Sequence, residues 1–201
     1  MPRIAEPREP GRATTSTQHA RRRAILRAAA RLGAEEGLER VQMSDIAAAA
    51  GVALGTLYRY YPSKHHLYSG VLDSAVADLP LPARAPDDPV GAVADLLESA
   101  VTGLLRRPLL GRAMLVSANA VRSAGTVAID TTMRDRIIAA AGITEPDDAD
   151  RQLARLAEQC AYGILTWATA GQLSAEQAVA DIRRACTLLL GPWAGRAGSA
   201  G

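Results

Sequence analysis

Side chains that can donate hydrogen bonds to phosphate oxygens are concentrated in one short stretch of the sequence, between residues 56 and 64. The stretch supplies hydroxyl, guanidinium and ammonium groups, which belong to Thr56, Tyr58, Arg59, Tyr60 and Lys64. Such groups make most of the contacts between proteins and the sugar–phosphate backbone of DNA. We expect Tyr58 and Tyr60 to contact phosphates, whereas Tyr61 and Tyr68 are expected to pack at the edge of a core.

The distribution of charge also favours a polyanionic partner. Residues 1–70 carry eleven basic and six acidic side chains, whereas residues 71–201 carry twelve basic and fifteen acidic ones. A basic head on a mildly acidic scaffold is typical of nucleic-acid binding, although a merely solvated charged face is the other interpretation. Within an arginine run at residues 21–23, Arg22 and Arg23 are candidates for phosphate contact.

Residue patterns typical of enzymes and metal sites are absent from the sequence. It has no Ser/His/Asp order, no glycine loop that could cradle a phosphate and no evident pair of catalytic carboxylates. His65 and His66 are adjacent, so a helix would direct them about 100° apart. Cys160 and Cys186 fall in apolar helices and are expected to be core thiols. We therefore expect no enzymatic activity, no metal and no cofactor.

Composition predicts an all-α fold. The 201 residues are 48% hydrophobic but only 3% aromatic, and alanine, leucine and arginine are abundant. This balance favours helices over a β-sandwich or barrel. The longest uncharged stretch, Gln159–Ala175, is too short and too polar to span a membrane. No apolar segment follows the N-terminal arginines, and the two cysteines form no framework, so we expect a cytoplasmic protein.

Hydrophobic periodicity and helix breakers predict about nine helices, with Pro62 ending the third and Ser63 as the N-cap of the fourth. We expect one from near Thr17 to Gly37, followed by Met43–Ala50, Leu54–Tyr60, Ser63–Leu79, Val90–Arg106, Leu109–Ser123, Val127–Ala141, Asp150–Ala170 and Ser174–Leu190. The predicted domains are a disordered tail over residues 1–16, a DNA-binding head over 17–66, a ligand-binding and dimerisation body over 67–191 and a second tail over 192–201.

The second and third helices have the features of a helix-turn-helix unit. Gly51 permits a turn with positive φ, and Ala47 and Ala50 allow the two helices to approach closely. Val52 and Leu57 can face the core, which leaves the polar groups of the third helix outside. The second helix of such a unit can lie in the major groove of DNA, and Lys64 and the helix start beside it could hold one phosphate.

This region resembles the DNA-binding head of the TetR family of one-component transcriptional repressors. The resemblance covers residues 18–70 and is carried by the arginine-rich helix and by the sequence SDIAAAAGVALGTLYRYYPSKHHL. It implies that Thr56, Tyr58, Tyr60 and Lys64 match positions that touch bases or phosphates. It also implies that Gln42 and Ser44 border the DNA backbone. The chain departs from the family at Ala53, usually an N-capping residue, and at Leu54, usually polar.

A narrower similarity concerns the actinobacterial repressors of cholesterol catabolism within this family. It is carried by VQM and GTLYRYYPSKHHL in the head and by RRPLLGRAM and ILTWATAGQLSAEQA in the body. That subgroup senses steroid-derived acyl-CoA thioesters. The similarity therefore implies a small apolar effector that resembles a steroid- or fatty-acyl-CoA.

The body helices supply candidates for a dimer interface and for a ligand pocket. Two long C-terminal helices with broad apolar faces suit a four-helix homodimer interface. The interface candidates are Leu153, Leu156, Cys160, Ile164, Ile182, Ala185 and Leu189. The pocket candidates are Leu97, Val101, Leu104, Met114, Leu115, Ala118, Asn119 and Trp167, with Asn119 as a lone polar group. For both sets, a role in the core of a single subunit is the alternative.

These observations together favour a ligand-responsive repressor that binds a palindromic operator in double-stranded DNA as a homodimer. Two alternatives stay open at this point. One is an architectural DNA-binding protein that ignores small molecules, and the other is an α-helical lipid-binding protein or enzyme with an incidental helix-turn-helix.

Overall fold

The structure is a computed structural model that describes residues 16–83, 85–125 and 131–194. These residues form nine α-helices and one 3₁₀ turn and contain no strand. The helices are α1 Ser16–Arg40, α2 Met43–Ala49, α3 Leu54–Tyr60, α4 Lys64–Ala77, α5 Pro89–Leu105, α6 Pro108–Ser123, α7 Thr132–Ala140, α8 Asp148–Thr169 and α9 Ala175–Leu189. The all-α prediction is confirmed. None of the helices in the described ranges is both long and apolar enough to cross a bilayer.

The helix ends lie close to the predicted ones. Gly37 has φ 79° and ψ 171°, so it interrupts α1 near the predicted end, and a last turn continues to Arg40. The predicted tail loses Ser16, which begins α1, and the rest of that tail lies outside the described residues. The predicted start of the seventh helix at Val127 also lies outside the described residues, and the described helix α7 begins at Thr132.

The described residues form two compact units. The first contains α1, α2, α3, most of α4, and α6, and the second contains the end of α4, α5, α7, α8, α9 and the 3₁₀ turn Gly191–Trp193. Helix α6 packs along α1, so the first unit includes a helix that the sequence places in the body. The boundary between a functional head and body at residue 66 stays a prediction.

The core of the first unit is built around Tyr68 of α4. Its ring is fully buried, and its hydroxyl donates a 3.1 Å hydrogen bond to the carbonyl of Ala29 in α1. Burial raises the pKa of this phenol to about 12, so it remains a neutral donor at physiological pH. A Cβ on Gly33 would lie 2.6 Å from the Tyr68 ring, so the absence of a side chain there makes room for the tyrosine.

Tyr61 is a second buried tyrosine in the same unit. It is buried against Gly70 of α4, and its hydroxyl accepts a 3.1 Å hydrogen bond from Nε of Arg22. Burial raises the pKa of Tyr61, an effect that Arg22 partly offsets. The prediction that Tyr61 and Tyr68 pack as part of a core is confirmed.

The second unit is closed by a residue that the sequence assigns to a tail. Trp193 lies in the 3₁₀ turn, is fully buried, and donates from its indole nitrogen to Oδ1 of Asp150 at 2.9 Å. Asp150 is itself buried, and its Oδ2 accepts from the amide of Asp147 in the capping box that begins α8. The assignment of residue 193 to the tail is therefore wrong, because its side chain ties the chain end to the start of α8.

We predict that Trp193→Phe destabilises the protein by about 2 kcal/mol. The change keeps an aromatic ring but leaves a buried carboxylate oxygen without its indole donor, and hydrogen bonds to charged groups contribute on this scale. Chemical denaturation measures the effect. Tyr58→Phe is the matched control, because it also removes one polar group from an aromatic side chain, but Tyr58 is 46% exposed and lies outside the apolar face of α8 and α9. Equal free energies of unfolding for the two variants would contradict the structural role of Trp193.

Candidate nucleic-acid interface

The turn between α2 and α3 depends on the backbone of one glycine. Gly51 has φ 66°, and the amides of Gly51 and Val52 donate to the carbonyls of Ala48 and Ala47 at 3.1 and 3.0 Å. These bonds satisfy carbonyls at the end of α2. A Cβ at Gly51 would meet nothing within 4 Å, so it is the left-handed conformation and not a lack of space that favours glycine.

Helix α3 is held from below by apolar contacts and not by a cap. Leu57 is completely buried beneath it, while Ala53 at its N-cap makes no side-chain hydrogen bond. The predicted lack of a cap is therefore confirmed. The amides of Thr56 and Leu57 donate to the carbonyl of Ala53, so backbone hydrogen bonds begin α3 without a side-chain cap.

The predicted DNA-contacting residues separate into exposed and buried ones. Those whose side chains are exposed are Arg22, Arg23, Gln42, Ser44, Tyr58 and Arg59. Thr56 and Lys64 are half-buried. Tyr60 differs from expectation because it is only 6% exposed, whereas Tyr58 is 46% exposed. The ring of Tyr60 belongs to the core beneath α3, and the guanidinium of Arg59 lies 5.9 Å from its centroid. The phosphate contact of Tyr60 therefore stays a prediction, although far less of this residue is exposed than of Tyr58.

Lys64 has a structural partner that its sequence position does not reveal. Its ammonium donates a 2.8 Å hydrogen bond to the carbonyl of Val41, in the connection between α1 and α2. An ammonium has three donors, so this bond leaves two for a phosphate. At the same end of α4, Ser63 accepts from the amide of His66 at 3.3 Å, which confirms Ser63 as the N-cap. The hydrogen bond to Val41 therefore fixes the position of the Lys64 ammonium at the start of α4.

The two histidines are engaged within the first unit. His65 Nδ1 lies 3.1 Å from Oγ of Ser117 in α6, and His66 Nδ1 lies 2.8 Å from Oγ of Ser63. Burial and the neighbouring His65 lower the pKa of His66, so it is neutral at physiological pH. Ser117 is fully buried, and its bond links the residue after Lys64 to α6. The spacing of residues along the chain does not predict this pair, although a serine among the apolar residues of α6 is a signal of a buried polar contact.

The predicted pocket residues do not all face an interior. Leu97, Val101 and Leu104 are buried in the second unit, and Met114, Leu115 and Ala118 are buried in the first. Asn119 and Trp167, in contrast, are exposed, so neither lines the interior of its unit. The corresponding part of the pocket prediction is corrected.

An open cleft of about 460 Å³ lies along α5 and α9 in the second unit. Its lining is charged: Arg183 contacts Asp95 at 2.8 Å and also Glu98. These polar walls do not match an apolar ligand.

The predicted dimer residues present a partly exposed apolar face on α8 and α9. Leu156 is exposed, while Leu153, Cys160, Ile164, Ala185 and Leu189 are half-buried. Ile182 is only 1% exposed and belongs to the core of its own unit, which corrects its assignment to the interface. Two residues outside the predicted set are the most exposed large apolar side chains of this face, Trp167 at 59% and Leu188 at 65%.

Two family models match the chain. The one described as bacterial regulatory proteins, tetR family, matches residues 25–71, and the one described as tetracyclin repressor-like, C-terminal domain, matches residues 87–189. Similar curated proteins include the HTH-type transcriptional repressor KstR of Rhodococcus jostii, 32% identical over 70% of this chain and 68% of that protein. KstR of Mycolicibacterium smegmatis is 30% identical over 77% of this chain and 80% of that protein.

Solved structures of TetR-family proteins are also similar to this chain. A TetR transcriptional regulator from Rhodococcus sp. RHA1 is 41% identical, with a TM-score of 0.77 over 88% of this chain and 97% of that one. Thermus thermophilus FadR, solved with lauroyl-CoA, is 22% identical, with a TM-score of 0.59 over 84% of this chain and 93% of that one. The second likeness concerns the fold alone.

Proposed function

The chain belongs to the TetR family of bacterial transcriptional regulators, and we propose that it represses transcription by binding a palindromic operator as a homodimer. Its KstR relatives are named as transcriptional repressors. The observation that carries the proposal is the exposed outer surface of α3, on which Tyr58 and Arg59 project from a helix held by the buried Leu57.

We propose that Tyr58, Arg59, Thr56 and Lys64 contact the DNA from α3 and the start of α4. The exposed Gln42 and Ser44 at the start of α2 add contacts to the backbone, and Arg23 supplies a further cation. Arg22 donates its Nε to Tyr61, which leaves its terminal guanidinium nitrogens to reach a phosphate.

The homodimer would form through the apolar face of α8 and α9. Isolated exposed apolar residues are ordinary, but Leu156, Trp167 and Leu188 lie on two helices that pack against each other. A two-fold axis through this face would present two heads to DNA. Heads about 34 Å apart would fit successive major grooves on one side of the duplex, which predicts an operator with dyad symmetry.

The proposed effector is a small apolar molecule of the steroid- or fatty-acyl-CoA type. It is supported by the similarity of the chain to repressors of cholesterol catabolism and by the wholly apolar buried positions of α5. A ligand can shift the DNA-binding equilibrium only by its difference in affinity for two states, and tenfold release requires about 1.4 kcal/mol. We propose that helix α4 transmits the effect of the ligand to the DNA-binding residues, since it directly follows α3, the recognition helix.

Footprinting on the DNA that flanks the protein's own gene tests the proposal. We expect one protected region with dyad symmetry, bound by a dimer at physiological ionic strength and released by a steroid-derived or fatty acyl-CoA. A monomer, or equal affinity for this region and random duplex, would overturn the proposal. Operator binding that ignores every acyl-CoA and free steroid tested would instead favour a ligand-blind architectural protein.

The two tyrosines of α3 provide a matched prediction. Tyr58→Phe should weaken operator binding about tenfold per dimer, because one phosphate hydrogen bond is lost in each half-site. It should weaken binding to random duplex as well, since phosphate contacts carry no sequence information. Tyr60→Phe should weaken both affinities less than Tyr58→Phe does, because only 6% of this residue is exposed. Fluorescence anisotropy measures both, and the reverse order would assign the contact to Tyr60.

A further inference from the structure

The N-cap and the first two residues of the recognition helix α3 carry no hydrogen-bonding side chain. Ala53, Leu54 and Gly55 are all exposed, and Leu54 is 41% exposed. A Cβ at Gly55 would meet nothing within 4 Å, so the backbone here is open to a partner. The hydroxyl-bearing Thr56 comes next and is half-buried. The leading end of α3 therefore presents an isobutyl group beside an uncovered stretch of backbone.

The position of these residues decides what the isobutyl group can meet. In helix-turn-helix proteins the N-terminal residues of the recognition helix contact the edges of bases in the major groove. Most features of those edges are hydrogen-bond donors or acceptors, and only thymine adds a methyl group. A leucine that covers a donor or acceptor leaves it unpaired, which is unfavourable. A leucine against a methyl group removes apolar surface from water at no such cost.

We infer that Leu54 reads the C5-methyl group of a thymine in each half-site of the operator. The inference rests on the proposed function, since it requires α3 to enter the major groove. Gly55 supports the contact because its missing side chain allows the backbone to come close to the base. The preference for thymine at this base pair then comes from apolar contact with Leu54. The neighbouring polar residues, Tyr58 above all, position the helix through contacts with phosphates.

Replacement of thymine by deoxyuridine in the operator tests the inference. Deoxyuridine keeps every hydrogen-bonding group of thymine and lacks only the methyl. With an operator identified by footprinting, each symmetric pair of thymines is replaced in turn and the Kd is measured. We expect one pair to weaken binding by about fourfold per half-site, or about 15-fold for both, the size expected for burial of one methyl group. Replacement at other pairs should change the Kd by less than about twofold.

Two variants connect the effect to Leu54. Leu54→Ala should bind the thymine and deoxyuridine operators equally at the sensitive pair, while it still prefers the operator over random duplex. Leu81→Ala is the matched control, since Leu81 is also 41% exposed but lies in the connection before α5. It should discriminate between thymine and deoxyuridine as the unaltered protein does.

Three outcomes would overturn the inference. If the unaltered protein binds its operator but no thymine replacement matters, methyl readout is absent and the proposed function stands. If Leu54→Ala keeps the full discrimination, another residue reads the methyl group. If no DNA fragment is preferred over random duplex, the proposed function and the inference fail together.

Discussion

Trp167→Glu should convert the protein from a dimer to a monomer and lower its operator affinity by roughly 100-fold or more. The indole is 59% exposed on α8, which packs against α9, and it is the largest apolar side chain on this face. Two-fold symmetry would bury a carboxylate from each subunit in the same interface, where like charges without partners are strongly unfavourable. Because each head would then bind DNA alone, the gain in affinity from two linked half-sites is lost.

Sedimentation equilibrium and operator binding measure this result together. Leu81→Glu is the control, because it places the same charge on an exposed leucine of the same unit but outside α8 and α9. It should remain dimeric and bind normally. Circular dichroism should show the same helix content in both variants. A dimeric Trp167→Glu protein with full operator affinity would rule out this face as the interface.

Gly33→Ala should destabilise the first unit by about 3 kcal/mol, at the upper end for an overpacked core. The added Cβ would lie 2.6 Å from Cε1 and 2.7 Å from the hydroxyl oxygen of Tyr68. The ring cannot swing aside without breaking its hydrogen bond to Ala29 and leaving the fully buried slot. Helix α1 would have to move away from α4, which follows the recognition helix, so operator binding should fall with stability.

Chemical denaturation and operator binding at several temperatures measure the effect. Gly103→Ala is the matched control, since Gly103 also lies inside a helix but nothing lies within 4 Å of its added Cβ. Alanine has the higher helix propensity, so this control should be neutral or stabilising by up to about 1 kcal/mol. In a Tyr68→Leu background the cost of Gly33→Ala should shrink, because the two changes share one contact. An equal cost in both backgrounds would place the strain elsewhere.

Local features of the fold could be predicted from the sequence because their causes are local. Gly51 was expected to turn the chain with positive φ, and it does so at 66°. Helix α3 begins at Leu54 and ends at Tyr60, as the periodicity and Pro62 predict. Ser63 caps α4 as expected. Each of these depends on residues within four or five positions of one another, for which spacing and side-chain type are sufficient.

Features of the candidate site that depend on distant residues could not be obtained in this way. Two tyrosines with the same chemistry, Tyr58 and Tyr60, differ in exposure because only one of them faces the core beneath α3. Lys64 meets Val41 across 23 positions, and His65 meets Ser117 across 52. No periodic pattern encodes such pairs, since they arise only when helices pack.

The amino-acid sequence by itself determined the helical class, the helix-turn-helix and the family resemblance, because these follow from short-range spacing. The tertiary structure alone decided which polar groups remain exposed for DNA, that Ile182 lies in the core, and that Trp193 closes the second unit against Asp150. The physical reason is that burial belongs to the packed arrangement of helices. A side chain's type sets what it can bind, but its neighbours across the fold set whether it is free to do so.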